Sequence, residues 1–306
     1  MSDIVVVGSM NMDFVYSVDR YPQQGETIFG NGFAVTPGGK GANQAATIGK
    51  LGGNVSFVSA RGNDIYGEEL LVNLQKLGVN VEHVYGFENT TTGVAAITLE
   101  NEGKNRIIVV PGANNKLSLS TIDNFKEEII KAQVVLLQFE IPLETVIKTI
   151  EIAHEHQTKV VLDPAPAREL PEEIYQKIDY LLPNEGEISQ LCKGYNLKTE
   201  KEKIYKLLDL GVGGIIITKG DQGATYYAKD QIIQQSAIKT DVVDTTGAGD
   251  AFAGGFAFGL QKGWDIKDIM KFASCVAGLS VTKKGAQNSL PTMAEVEEIF
   301  SKMCND

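Results

Sequence analysis

Short runs of Val, Ile and Leu, each followed by a helical stretch, constrain this chain more than any other feature. The runs "IVVVG" (4–8), "NVSFVSA" (54–60), "VVLLQFE" (134–140), "KVVLDPA" (159–165), "YLLPNE" (180–185) and "GIIITKG" (214–220) read as strands. Most are continuously apolar rather than alternating, so both faces of each strand must be covered. Between them lie segments with apolar residues at helical spacing: "KGANQAATIGKL" (40–51), "YGEELLVNLQKLG" (66–78), "PLETVIKTIEIAHEH" (142–156) and "TEKEKIYKLLDLG" (199–211). The pattern predicts an α/β fold: a mostly parallel central sheet with helices on both faces.

Two regions break the rhythm. Residues 14–35 and 91–110 alternate, carry turn residues and have no helix between their strands. They predict antiparallel hairpins that pair into a small second sheet, either a flap over the strand ends or an embellished sheet edge. No low-complexity segment, repeat or interdomain linker interrupts residues 1–306, which read as one α/β domain with this small sheet inserted.

The chain is 43% hydrophobic and 22% charged, enough apolar residue for a large core. Its net charge of −11 argues against a broad nucleic-acid surface, which needs clustered Lys and Arg. A small phosphate ligand is still compatible with that charge, because a helix start binds anions through backbone N–H groups. Cys192, Cys275 and Cys304 are far apart and lack C-x-x-C spacing, so neither a disulfide framework nor a zinc site is expected. The start has no basic region, and the apolar run Ile4–Val7 is too short for a signal peptide or membrane span. A soluble cytoplasmic protein is the expectation.

Ligands of such sheets bind at the C-terminal strand ends, and polar residues gather there. Asn11 and Asp13 follow the first strand; Glu140 and Asp163 end two others. Asn184, Glu185 and Glu187 follow "YLLP", and Thr218, Lys219 and Gly220 end "IIITKG". Asp244 and Asp250 flank a glycine turn in "DTTGAGDAFAGGF" (244–256), entered from an expected strand at Val242-Val243. Asp250 reads in two ways. It is a good N-cap for the apolar helix that follows. It is also well placed as a general base, because the N–H groups of Gly247, Ala248 and Gly249 form an anion-binding concavity beside it.

A second glycine cluster, "TPGGKGANQA" (36–45), is not a Walker A loop, because Gly41 rather than Ser or Thr follows Lys40. Neither cluster gives G-x-G-x-x-G; after Gly247 and Gly249, Phe252 stands where Gly is needed. "GGKGAN" offers close backbone approach, an ammonium and an amide. It suits a hydroxyl-rich small molecule, or simply a turn into a tightly packed helix.

Seven segments in order, "GSMNMD", "GGKGANQA", "DPAPARELP", "LLPNEGE", "ITKGDQGA", "DTTGAGDAFAGGF" and "VTKKGAQNSLP", together resemble the ribokinase (PfkB) family of carbohydrate kinases over essentially the whole chain. The resemblance implies a large sheet with a small β lid that is usually also the dimer contact. It makes Asp250 the catalytic base and Gly247, Ala248 and Gly249 the anion hole. Asn11, Asp13, Gly39, Lys40, Asn43 and Glu140 match sugar-binding positions. Asn184 and Glu187 match the region holding phosphate and Mg²⁺-bound water, and Thr218, Gly220, Gly223 and Gly249 the ATP site. A monovalent cation, K⁺, is implied beside the anion hole at Asp244, Thr246, Ser280, Lys283, Gly285 and Ser289, several through carbonyls.

The implied reaction is phosphorylation of D-ribose by ATP at the primary hydroxyl. "GGKGANQA" with "KKGAQ" favours ribose over the fructose, nucleoside or other sugar acceptors of the family, while ribose against 2-deoxyribose stays open. Carboxylates beside a triphosphate repel it unless cations intervene, and Mg²⁺ and K⁺ meet that need. Phe139 and Asn288 depart from the commoner family residues. Met12 lies between two sugar-binding positions and leaves the choice of sugar open. Ser274 falls near the expected adenine pocket without an assigned role.

Two other classes compete. A non-catalytic sugar or nucleotide sensor is expected to lose Asp250 or the glycines, which are all present. A dinucleotide oxidoreductase lacks its fingerprint. His154 and His156, two apart on a helix, do not share a face and read as a solvated helix end. Trp264 is expected to pack at a helix start, and Cys192 and Cys275 in the core.

Overall fold

The computed structural model describes residues 2–100 and 105–304. The turn 101–104 of the second expected hairpin lies outside the described residues. The large sheet contains β1 (Ile4–Val7), β4 (Val55–Gly62), β5 (Val84–Phe87), β8 (Val134–Leu137), β9 (Lys159–Leu162), β10 (Tyr180–Leu181), β11 (Gly214–Thr218), β12 (Ala224–Tyr227) and β13 (Ile232–Gln235). Their order is β13-β12-β11-β10-β9-β8-β1-β4-β5. All neighbours pair in parallel except β11–β12 and β12–β13, which form an antiparallel edge.

The continuous apolar runs become strands because both sheet faces are buried. Ile4 and Val6 point into one core and Val5 and Val7 into the other, all at 0% exposure. The helices Lys40–Lys50, Ala248–Gln261 and Ile266–Ser280 cover the first face. The helices Leu143–Glu155 and Glu200–Asp209 cover the second. Among the described residues no helix is long and apolar enough to cross a membrane.

The small second sheet contains β2 (Asn11–Val18), β3 (Gly32–Gly38), β6 (Gly93–Glu100) and β7 (Asn105–Val110), in the order β3-β2-β6-β7. Both hairpins are antiparallel and join through a parallel β2–β6 pair. Strand β2 begins at Asn11 rather than at 14, so Asn11 and Asp13 stand on a strand, not in a loop. One expectation fails: Val242 and Val243 form no strand and are 63% and 53% exposed. The Val243 and Asp244 N–H groups instead both donate to the Val281 carbonyl, which docks this segment on the end of a helix.

Candidate active site

Strand β1 lies between β8 and β4, so the chain changes direction across the sheet there. Such a switch point opens a crevice beyond the strand ends. A cleft of about 260 Å³ opens on that side beyond the ends of β9, β10 and β11, lined by Lys40, Asp163, Asn184, Glu187, Thr218, Thr245, Gly247, Ala248, Gly249 and Asp250, among others.

Asp250 is not the helix cap. The cap is Gly247, in a left-handed conformation at φ 77°, and Asp250 is the third residue of the helix. Its side chain makes no capping bond and is 5% exposed. Oδ2 accepts a hydrogen bond from Asn43 Nδ2 at 2.8 Å. Oδ1 has no hydrogen-bond partner, with Lys40 Nζ 3.9 Å away. A buried carboxylate oxygen without a hydrogen-bond donor is costly. Burial raises the Asp250 pKa, against the opposing pull of Lys40 and of the Asn43 amide.

Around it the turn presents backbone. The Ala248 N–H is partly used, bonding the Thr245 carbonyl at 3.2 Å. Those of Gly247 and Gly249 have no protein partner among the described residues. They stand at the positive end of a helix.

Lys40 opens the helix Lys40–Lys50 from Gly39, at φ 88°. A Cβ on Gly39 would lie 2.7 Å from the Asn11 nitrogen, so only glycine lets this turn close on β2. Burial disfavours the Lys40 ammonium, but Asp250, Asp163, Glu140 and Glu187 together outweigh it and hold its pKa above the ordinary value. Glu140 is held past the end of β8 by Ser9 Oγ at 2.5 Å and the Lys40 N–H at 3.1 Å. Burial pushes Asp13 up to about 7, with Glu140 and Asp250 adding repulsion.

Asp163 also lines the cleft. Burial raises its pKa to about 8, against Lys40. It accepts from Gln44 Nε2 at 2.8 Å, and Gln138 Nε2 in turn donates to Gln44 Oε1 at 2.5 Å. Asp163 stood among the strand-end residues without a role, and neither glutamine stood out in the sequence.

The other positions divide. Asn184 and Glu187 form a reciprocal capping box at the helix Glu185–Leu191, each side chain 2.8 Å from the other's N–H. Thr218 is bridged to Asn184 and lines the cleft, whereas Gly220 and Gly223 lie in the β11–β12 turn outside it. Asp244 binds the Thr246 N–H and hydroxyl through Oδ1 and the Gly285 N–H through Oδ2, at 2.7–2.9 Å. Burial would raise its pKa, but those three bonds and Lys284 bring it below the usual carboxylate value. Ser280 and Ser289 are buried with their hydroxyls spent on the Ala277 and Ala286 carbonyls. Lys283 turns away to Glu295 at 2.8 Å. Met12 is fully buried, and Ser274 is 5% exposed in the helix Ile266–Ser280. His154 and His156 are exposed at the end of the helix Leu143–Glu155. Cys192 and Cys275 are buried thiols, and Trp264 packs on Phe272 and Phe300.

The arrangement is a buried carboxylate beside bare N–H groups, with the polar residues Asn43, Lys40 and Glu140 on one side and a second strand end on the other. It suits transfer of an anionic group to an alcohol. Residues 1–293 match the model of the pfkB family carbohydrate kinases. The chain belongs to the PfkB family of carbohydrate kinases. It is 41% identical to a ribokinase of Lactococcus lactis, over 97% of this chain and 96% of that one. It is 40% identical to a solved ribokinase of Thermotoga maritima, with a TM-score of 0.91, covering 99% of this chain and 100% of that one. It is 35% identical to the Arabidopsis thaliana ribokinase solved with ribose and ATP, with a TM-score of 0.89 and 98% of each chain covered. The sequence-based expectations of a carbohydrate kinase and of an α/β fold with a second small sheet agree with these findings.

Proposed function

We propose that this chain transfers the γ-phosphate of ATP to the primary hydroxyl of D-ribose, giving ADP and D-ribose 5-phosphate. The observation that carries the reading is Asp250 Oδ1, buried, without a hydrogen bond, beside the exposed N–H of Gly249. A carboxylate there accepts the proton of an attacking hydroxyl. The N–H groups of Gly247 and Gly249 receive the charge that develops on the transferred phosphoryl group. Asn11, Asp13, Gly39, Lys40, Asn43 and Glu140 hold the sugar. Lys40 balances the carboxylates so that Asp250 can be ionised when the hydroxyl arrives. Likeness to ribokinases, one of them solved with ribose and ATP, supports ribose as the acceptor.

Among the described residues no group of three or more His, Cys, Asp or Glu is gathered as a metal cage. That fits Mg²⁺ entering with ATP and met by Glu187 through water, since Glu187 keeps only one oxygen in its capping box. Mg²⁺ supplies charge neutralisation for the phosphates. For K⁺, Asp244 offers a low-pKa carboxylate already tied to Thr246 and Gly285. Ser280 and Ser289 contribute oxygen ligands, from a backbone carbonyl or from a hydroxyl whose hydrogen is already donated to the Ala277 or Ala286 carbonyl. The test is ADP release from Mg·ATP with K⁺ across D-ribose, 2-deoxy-D-ribose, D-fructose and adenosine. Selective turnover of ribose is expected, and lower turnover with Na⁺ in place of K⁺. Turnover of another acceptor would displace ribose, and indifference to monovalent ions would remove the K⁺ site.

Asp13 gives a pH prediction. Its folded pKa, raised to about 7, means that the empty site takes up a proton as pH falls through neutrality. A protonated carboxyl is the poorer acceptor for sugar hydroxyls. KM for ribose is therefore expected to rise between pH 8 and pH 6, and Asp13→Asn to flatten that profile while raising KM throughout. A flat wild-type profile would separate Asp13 from the sugar.

The small sheet also serves as the dimer contact in this reading. Strand β7 is exposed along its whole length, with Ile107, Ile108, Val109 and Val110 at 44–63%. Such an apolar sheet surface calls for a partner, and a second copy brings a matching one. Light scattering at micromolar concentration is expected to give a dimer for the wild type and a monomer for Ile108→Lys. A monomeric wild type would end this assignment.

A further inference from the structure

Asn114 lies in the turn Gly112–Lys116 that follows β7, where the chain leaves the small sheet, and is 1% exposed. Its amide reaches back to the point where the chain first enters that sheet. Oδ1 accepts from the Met10 N–H at 3.0 Å. Nδ2 donates to the Met10 carbonyl at 3.2 Å and to Asn11 Oδ1 at 2.8 Å. One side chain thus ties the chain's first entry into the small sheet to its last exit from it.

The chemistry of these contacts fixes two amide orientations in turn. A backbone N–H can only donate, so Asn114 must place Oδ1 against Met10. Its Nδ2 then faces Asn11, which must answer with Oδ1. Asn11 is left with Nδ2 directed away from Asn114, its Oδ1 being the atom that takes the Asn114 bond. Asn11 is paired with Gly93 across β2 and β6. A Cβ on Gly93 would overlap both Asn11 Oδ1 and Asn114 Nδ2, so glycine there leaves room for the pair.

We propose that Asn114 is a positioning residue for sugar recognition: it locks the Asn11 amide so that its N–H donors, not its carbonyl, face the sugar. The proposal rests on the reading that Asn11 contacts the sugar. It gives Asn114 a role beyond filling the hinge of the small sheet.

The test is a double-mutant cycle on the full chain with D-ribose and Mg·ATP. Asn114→Asp keeps an acceptor for the Met10 N–H but removes the donor to Asn11 Oδ1. The Asn11 amide is then free to turn its own donor inward. The expected result is a rise of about tenfold in KM for ribose, with KM for ATP near wild type; the thermal midpoint falls in either background, because the Met10 carbonyl loses its donor and a carboxylate is buried. In an Asn11→Ala background the same change should leave KM for ribose where Asn11→Ala alone puts it, because the group being oriented is gone. If Asn11→Ala raises KM and Asn114→Asp does not, the positioning role is wrong and the sugar site stands. If Asn114→Asp raises KM for ribose and KM for ATP alike, and does so in either background, Asn114 is only a structural tie. If Asn11→Ala leaves KM for ribose unchanged, the sugar assignment itself falls and the proposal with it. Asn114→Ala, which removes both bonding groups without adding charge, should repeat the pattern of Asn114→Asp.

Discussion

Asp250→Asn is expected to lower kcat by about 10²–10⁴-fold, the usual contribution of a positioned general base, while ribose binding largely survives. The change is isosteric and leaves an oxygen for the Asn43 amide, which now bonds Oδ2 at 2.8 Å. What disappears is the capacity to take a proton. Loss of fold does not offer a rival explanation, and the sign of the linkage says why. Burial raises the folded-state pKa of Asp250 above its ordinary value. A carboxyl of that kind favours the folded state at low pH, and that stabilisation is lost as pH rises through the folded pKa. Above the ordinary carboxylate range the buried Asp250 is a cost to the fold that Asn does not carry. The variant should therefore melt no lower than the wild type at pH 8, and its relative advantage should shrink towards pH 4. Isothermal titration with ribose, steady-state kinetics and thermal denaturation at the two pH values separate these effects. Near-normal turnover in a folded variant would make Asp250 a buried structural carboxylate.

Much of this site was legible because the α/β architecture collects distant residues at one sheet edge. Once "IVVVG", "VVLLQFE" and "GIIITKG" read as buried strands, the polar residues after them had to share a face. The glycine turn read well although no strand leads into it, since a helix start exposes N–H groups whatever precedes it. The bonds that hold the reactive groups in place did not read. Asn114 meets Asn11 across 103 positions of sequence, and Gln44 meets Asp163 across 119. No local pattern marks an amide whose partner arrives through tertiary packing. Val242 and Val243 misled because β-branched pairs favour strands, whereas here they are exposed beside a helix end. The antiparallel edge β12–β13 was missed because "GATYYAKDQIIQQ" carries no run as apolar as the central strands.

Gly249→Val is expected to lower kcat/KM for ATP by about 10²-fold or more, the scale of losing an oxyanion-hole donor, without lowering the thermal midpoint. Glycine at a helix start is usually explained by backbone conformation or by packing, and neither explanation applies to Gly249. Its φ is not in the left-handed region, and a Cβ built there meets no protein atom within 4 Å. The contrast with Gly247 is direct: that residue has φ 77° and would press its Cβ on Ala286 at 3.2 Å. Position 249 is the second residue of the helix Ala248–Gln261, where a side chain costs the fold nothing and removing glycine favours the helix. The open space beside it is the cleft itself. Bareness at 249 is therefore of use only to something that enters the cleft and approaches the backbone closely, as a phosphoryl group does in the proposed reaction. A valine there would hold that group away from the N–H and from Asp250 Oδ1 while leaving the proposed ribose side, at Asn11, Asp13 and Glu140, untouched. ATP binding and turnover should fall together, with ribose affinity close to wild type. If Gly249→Val turns over normally, the transferred phosphate does not pass over this turn, and the anion hole must lie elsewhere on the cleft wall.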